Sequence, residues 1–259
     1  MDTTNLTEIL AYIGAAAWVP QIAYLFYKAF VTPKVIILPD EEVSIGFTRF
    51  GPIFNLNLAV SASRRDIIIN KINVKISHED GSEYIFEWKG LTETISEITN
   101  LEGDKAIVEK DQPAMALKVA TLSLTEKFVR FQEAKFHQGF HEVYNNFEAH
   151  FLYLKKSDPD FIEKSLKSKE FEDLMDYHKS RFWWRKGNYK VEFTLESPNR
   201  YKQVNQTFEF NLKQYDIDRL YENVEKIKQD YSKVIYTNKE GYEIQSVAWN
   251  WRNTKMHQK

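Results

Sequence analysis

The sequence contains no cysteine, which removes disulfides, thiolate metal sites and cysteine nucleophiles together. It has no cationic surplus either. Thirty-five lysines and arginines stand against 37 aspartates and glutamates, a formal charge of −2, whereas phosphate-binding domains carry a clear basic excess. Nucleic acid is therefore not an expected partner. A glycine-rich phosphate loop, a G-x-S-x-G elbow and a Ser/His/Asp pattern are all missing, and no cofactor is expected. No internal repeat or low-complexity segment stands out.

What is present is apolar and aromatic. Hydrophobic residues make up 43% of the 259 positions and aromatics 15%, enough for one large core or two small ones. One apolar run is long. Ile9–Val31 reads ILAYIGAAAWVPQIAYLFYKAFV with a single charge, Lys28. As a helix it would extend about 34 Å at 1.5 Å per residue, against a hydrocarbon core of about 30 Å. Tyr24, Phe26, Tyr27 and Phe30 crowd one end as interface aromatics do, and Lys28 is placed to snorkel. Residues 1–33 are thus expected to form an N-terminal membrane-spanning helix, with lipid contacting residues 9–31. Asp2 and Glu8, not basic residues, precede the run, which argues against a cleaved signal peptide. Lys28, Lys34, Arg49, Arg64 and Arg65 follow it. The positive-inside rule then predicts a single-pass protein of the cell membrane with its C-terminal domain in the cytoplasm.

After Pro33 the period of hydrophobicity becomes two. Val43, Ile45 and Phe47 alternate with smaller or polar residues, as do Phe54, Leu56, Leu58, Val60 and Ala62, then Ile68 to Ile76, then Tyr84, Phe86 and Trp88. Such alternation predicts strands with one buried face. Asp80-Gly81 between two of the runs predicts a hairpin turn. The stretch IGFTRFGPIFNLNL at 45–58 reads as scaffold. Gly51-Pro52 marks a turn or bulge at a sheet edge, and Phe47, Phe50 and Phe54 are expected in the core. Residues 91–115 are mixed and polar, with a turn expected at Glu102-Gly-Asp-Lys105.

Phe136, Phe140, Val143, Tyr144, Phe147, Phe151 and Leu154 then fall at helical spacing. A second amphipathic stretch runs from Phe161 to Tyr177. Together they read as a helical insertion at about 134–180. Strands resume at Tyr189–Leu195 and Val204–Leu212. Ile217, Leu220, Tyr221, Val224, Ile227, Tyr231 and Val234 form the apolar stripe of a C-terminal helix over 216–236, which Asp216 is positioned to cap. The tail 237–259 shows no clear period. The predicted fold is mainly β with α insertions. An immunoglobulin-like β-sandwich over 34–215 follows the membrane-spanning helix, interrupted by the helical insertion and closed by the C-terminal helix.

The apolar span, IGFTRFGPIFNLNL, FEWKGL at 86–91 and FWWRKGNYKVEF at 182–193 resemble bacterial single-span membrane proteins with an immunoglobulin-like sandwich domain. The resemblance implies an architecture and carries no activity.

Two constellations are candidates for chemistry. His137 and His141 share a helix face, with Glu142 and His178 near in sequence. A metal-dependent enzyme would use this pair, but the position after the first histidine is Gln138 where a zincin has its catalytic glutamate. No metal site is therefore predicted. Trp183, Trp184 and Arg185 form the densest aromatic and basic cluster, a candidate contact for a partner or a membrane. The expected function is a membrane-tethered, non-enzymatic domain that binds a protein partner through an exposed sheet edge or the inserted helices. The alternatives are the metal-dependent enzyme and an outward-facing structural protein of the envelope.

Overall fold

The structure is a computed structural model that describes residues 3–99, 105–204, 206–237 and 247–259; at 3–11, 13, 15, 29, 93–99 and 105–111 it describes the backbone alone. In chain order, α1 (Thr3–Phe30) leads into β1 (Lys34–Thr48), β2 (Gly51–Ser63), β3 (Ile67–Ile69), β4 (Lys71–His78), β5 (Glu83–Thr99), β6 (Lys105–Pro113), β7 (Leu117–Val119) and β8 (Leu124–Glu133). The helices α2 (Ala134–Ser157), α3 (Phe161–Leu166) and α4 (Lys169–Ser180) follow. Then come β9 (Gly187–Glu196), β10 (Lys202–Gln203), β11 (Thr207–Leu212), α5 (Gln214–Tyr236), β12 (Arg252–Lys255) and β13 (His257–Gln258).

The protein is mainly β. Alternation places every second residue of β4 and β9 inside, and Ile72, Val74, Ile76, Val191, Phe193 and Leu195 are all buried. Where the sequence predicts two facing sheets, the strands hydrogen-bond into one sheet of eleven, ordered β10-β1-β2-β8-β5-β4-β9-β11-β13, with β6 on β5 and β12 on β1. β3 and β7 form a separate pair. The large sheet curls because its two ends share one segment. β12 pairs with β1 from Glu42↔Lys255 to Ile45↔Arg252, and β13 pairs with β11 at Phe208↔Gln258 and Glu209↔His257. Met256 N–H also donates to the Glu41 carbonyl at 2.6 Å. Two sheet edges that would otherwise expose unpaired amides are thereby covered.

The curl brings distant strands face to face. Phe54 of β2 has the rings of Phe86, Phe131 and Phe210 within 6.0–6.5 Å, from β5, β8 and β11. All four are fully buried, each worth about 1.5–3 kcal/mol of transfer free energy.

The β1–β2 turn has a specific reason for its glycine. Gly51 adopts φ +81°, and an added Cβ would lie 2.5 Å from Phe136 Cδ2, so α2 could not seat on the turn. Pro52 sits just beyond Ile53↔Gln132, the end of the ladder with β8, so its missing N–H costs that ladder nothing. Phe47 and Phe54 fill the core as expected, but Phe50 does not. It lies at the turn and is 44% exposed.

Three further expectations are corrected. Residues 91–115 hold much of a long ribbon, with β5 and β6 paired from Gly90↔Pro113 to Thr99↔Lys105. Its sequence is polar at successive positions, so period two never shows. Of the turn expected at Glu102–Lys105, residues 102–104 lie outside the described residues and Lys105 begins β6. The second helical stretch is two helices, because Ser168 caps α4, its Oγ accepting the Phe171 N–H at 3.2 Å. α5 begins at Gln214, before the expected 216, and Asp216 caps its N-terminus from inside the first turn. It reaches back to accept the Lys213 N–H at 2.8 Å.

α1 stands apart from this core. Its described side chains from Tyr12 to Phe30 are all exposed. Among the described residues no helix is long and apolar enough to cross a membrane, and several positions of the 9–31 run have no described side chain.

Candidate functional site

The candidate site is a groove between α2 and α5. On α2 the aromatic stripe stacks along the axis, Phe136 on Phe140 at 5.3 Å, Phe140 on Tyr144 at 5.5 Å and Phe147 on Phe151 at 6.3 Å. Spacings of three and four residues put these rings on one face. Tyr231, Val234 and Ile235 of α5 form the opposite wall. Between them lies a cavity of about 360 Å³, lined also by Phe50, Leu152, Arg49 and Glu148. That is the size of a small ligand pocket or of one or two apolar side chains. Leu152 and Val234 are about half exposed at its mouth, at 48% and 47%. Arg49 closes one end, 3.3 Å from Asp230 and 4.9 Å over the Phe50 ring.

The polar atoms at the groove floor are held neutral. Burial pushes the Tyr231 and Tyr144 phenols above their ordinary range. Tyr231 OH is 3.3 Å from His178 Nε2. His178 is fully buried among Phe136, Phe140 and Tyr231, its Nδ1 has no partner, and desolvation lowers its pKa to about 3. It is a neutral packing residue that no solvent-borne substrate reaches.

The other two histidines of the proposed metal set lie elsewhere. His137 Nε2 is 2.7 Å from Gln132 Oε1, and its ring centroid is 6.4 Å from that of His141, which is exposed. Burial is the first cause lowering the His137 pKa, followed by the charge of Lys89. His178 faces the helix interior, and Glu142 is on the surface. Among the described residues no group of three metal-ligating side chains gathers. The pair is thus brought together with no third ligand.

The tryptophan cluster is core. Trp183 stacks on Tyr84 at 3.6 Å between ring centroids, and Trp184 donates its Nε1–H to the Gly46 carbonyl at 3.2 Å. Their exposures are 8% and 1%, so neither ring is offered to a partner or a lipid surface. Arg185 alone remains exposed, and its Nη1 pairs with Asp80 Oδ2 at 2.7 Å.

A larger depression of about 890 Å³ lies over β1, β2 and β8, walled by Asp40, Asn57, Thr92, Glu126 and Lys127. The α2–α5 groove is the feature the sequence did not signal: the apolar stripe of 136–154 spans about 100° of the helix, the width of an ordinary buried face, so its spacing does not mark any part as left open.

No protein-family model, no curated protein and no solved structure matches the chain.

Proposed function

We propose that the chain is a membrane-tethered, non-enzymatic interaction domain, seated in a bilayer through α1, with its body on the cytoplasmic side and the α2–α5 groove receiving an apolar segment of a protein partner. The observation that carries this reading is α1 itself. Tyr12, Trp18, Val19, Ile22, Tyr24, Leu25, Phe26, Tyr27 and Phe30 are each 48–78% exposed, and at 100° per residue they point in every direction around the axis. A helix apolar on one side lies against a core or in an interface. One apolar on all sides needs an apolar medium all round. The core of the curled sheet is complete without it. The groove supports the second half of the reading, because its half-exposed apolar mouth has the chemistry of a helix or strand docking site.

In finer detail, we read the curled sheet as an immunoglobulin-like sandwich whose two halves face each other across the Phe54 cluster, consistent with the bacterial single-span proteins that the sequence resembles. The test is cell fractionation combined with protease accessibility. The chain should sediment with membranes, move to the soluble fraction when residues 1–31 are deleted, and resist protease added outside intact cells. Cleavage of the body without lysis would reverse the orientation in favour of an envelope role. A full-length chain in the soluble fraction would remove the tether.

A further inference from the structure

At the end of the sheet from which α1 emerges, the loops gather cations around one outward-pointing leucine. Only residues 31–33 separate α1 from Lys34, which pairs with Lys202 on one side and Ser63 on the other. Arg64 follows Ser63, and Leu122 N–H donates to the Ala62 carbonyl at 3.2 Å, so the 120–123 turn sits beside them. On the adjoining β3–β7 pair, Lys118 stands opposite Ile68, and both are exposed. Arg64, Lys118, Arg200 and Lys202 are exposed and engage in no ion pair among the described residues. Two carboxylates lie among them. Asp66 accepts both the N–H and the hydroxyl of Thr121 at 2.8 Å, and Glu196 accepts Asn73 Nδ2 at 2.9 Å. Cations still outnumber them.

The backbone singles out the same spot. Arg64 at φ +75° and Leu122 at φ +62° are the two non-glycine residues with left-handed backbone among those described, a conformation that costs an L-residue free energy. Neither is repaid by burial. Leu122 is 93% exposed, and Leu124 beside it is 53% exposed. One strained position thus holds out a guanidinium and its neighbour an apolar side chain, the pairing that favours a charged lipid interface over water.

We propose that this end of the domain is a contact surface for anionic lipid headgroups, with Arg64, Lys118 and Lys202 reading the charge and Leu122 entering the interface. The inference rests on α1 being seated in the bilayer. Three linking residues reach at most about 11 Å, roughly one Debye length at physiological salt, so the cations lie where the surface potential of an anionic leaflet still acts.

The absence of cysteine allows a direct test. In the full chain, L122C carries an environment-sensitive fluorophore, and K186C carries the same label at the opposite end of the sheet. Both are reconstituted with vesicles of phosphatidylcholine alone or of phosphatidylcholine with phosphatidylserine. The label at 122 should shift to the blue and lose quenching by aqueous iodide only on phosphatidylserine. That response should vanish in R64E/K118E/K202E and at 1 M salt, where the Debye length is about 3 Å. The label at 186 should not respond. A chain that floats with both vesicle types while its label at 122 stays in water, or responds equally to both, overturns the lipid contact and leaves the tether standing. A chain that floats with neither overturns the tether and this inference together.

Discussion

Asn223 and Asn250 hold each other in both directions. Asn223 Nδ2 donates to the Asn250 carbonyl at 2.7 Å, and the Asn250 N–H donates to Asn223 Oδ1 at 2.8 Å. The side chain of Asn250 is also committed. Its Nδ2 donates to the Arg219 carbonyl at 2.8 Å and to Glu222 Oε2 at 2.7 Å, while Lys226 Nζ donates to its Oδ1 at 2.6 Å. Every bond runs from the middle of α5 to the start of the last segment. The pair therefore fixes where the C-terminal segment begins, and its strands β12 and β13 join the two ends of the sheet.

Replacing Asn223 with alanine strands a buried N–H and a buried carbonyl of Asn250. Each unsatisfied group costs about 1–3 kcal/mol, so N223A should lose about 2–6 kcal/mol in urea denaturation. Limited proteolysis should then release the residues after 247 before the rest of the domain is cut. Loss of stability with the tail still protected would mean that the pair does not hold the seam.

Trp251 lies across the backbone of β1 at Gly46. A Cβ added there would sit 2.6 Å from Trp251 Cε3. G46A should destabilise by about 1–3 kcal/mol as an overpacked site. The double variant G46A/W251A should be more stable than the sum of the single effects, because the clash is then absent. Strict additivity would place the cost in the strand itself.

His178 sets a pH dependence with a definite sign. Its folded pKa of about 3 lies below the ordinary 6.5, so the unfolded chain takes up the proton first. The stabilisation is fully present above 6.5 and is lost as pH falls from 6.5 toward 3, at up to about 1.4 kcal/mol per pH unit. Glu133, whose carboxyl burial raises, acts in the opposite direction, so the comparison must be between variants. H178F should show a flatter loss of urea stability between pH 7 and pH 4.5 than the parent. Equal slopes would show that His178 is hydrated in the folded state.

The groove mouth separates binding from folding. L152E and V234E change half-exposed positions, so stability should move by no more than about 0.5 kcal/mol. Capture of a stoichiometric partner from solubilised membranes should nonetheless be lost. Capture that survives both changes would place the contact elsewhere on the body.

Much of this architecture is local and was legible in the sequence. Period two reported β4 and β9 because one face of each strand is buried along its length, and β1 and β2 over the stretches where burial alternates. Period 3.6 reported α2 and α5 for the same reason, and the long apolar run reported α1. The β5–β6 ribbon escaped because its sequence from 91 to 113 carries no alternation of apolar and polar residues. Trp183 and Trp184 were ambiguous because an aromatic beside an arginine has the same spacing whether it faces the core or the solvent. What decided their fate was Tyr84 and the Gly46 carbonyl, the latter 138 positions away in the chain.

By itself the sequence determined β1, β2, β4, β9, α2 and α5, their order and the greasy N-terminal helix, since each depends on interactions between residues a few positions apart. Only the tertiary structure decided that the strands form one curled sheet sealed by residues 252–258, that Phe50 stays outside, and that the histidines do not converge. Those outcomes depend on contacts between segments far apart in the chain, which leave no periodic trace in either segment alone.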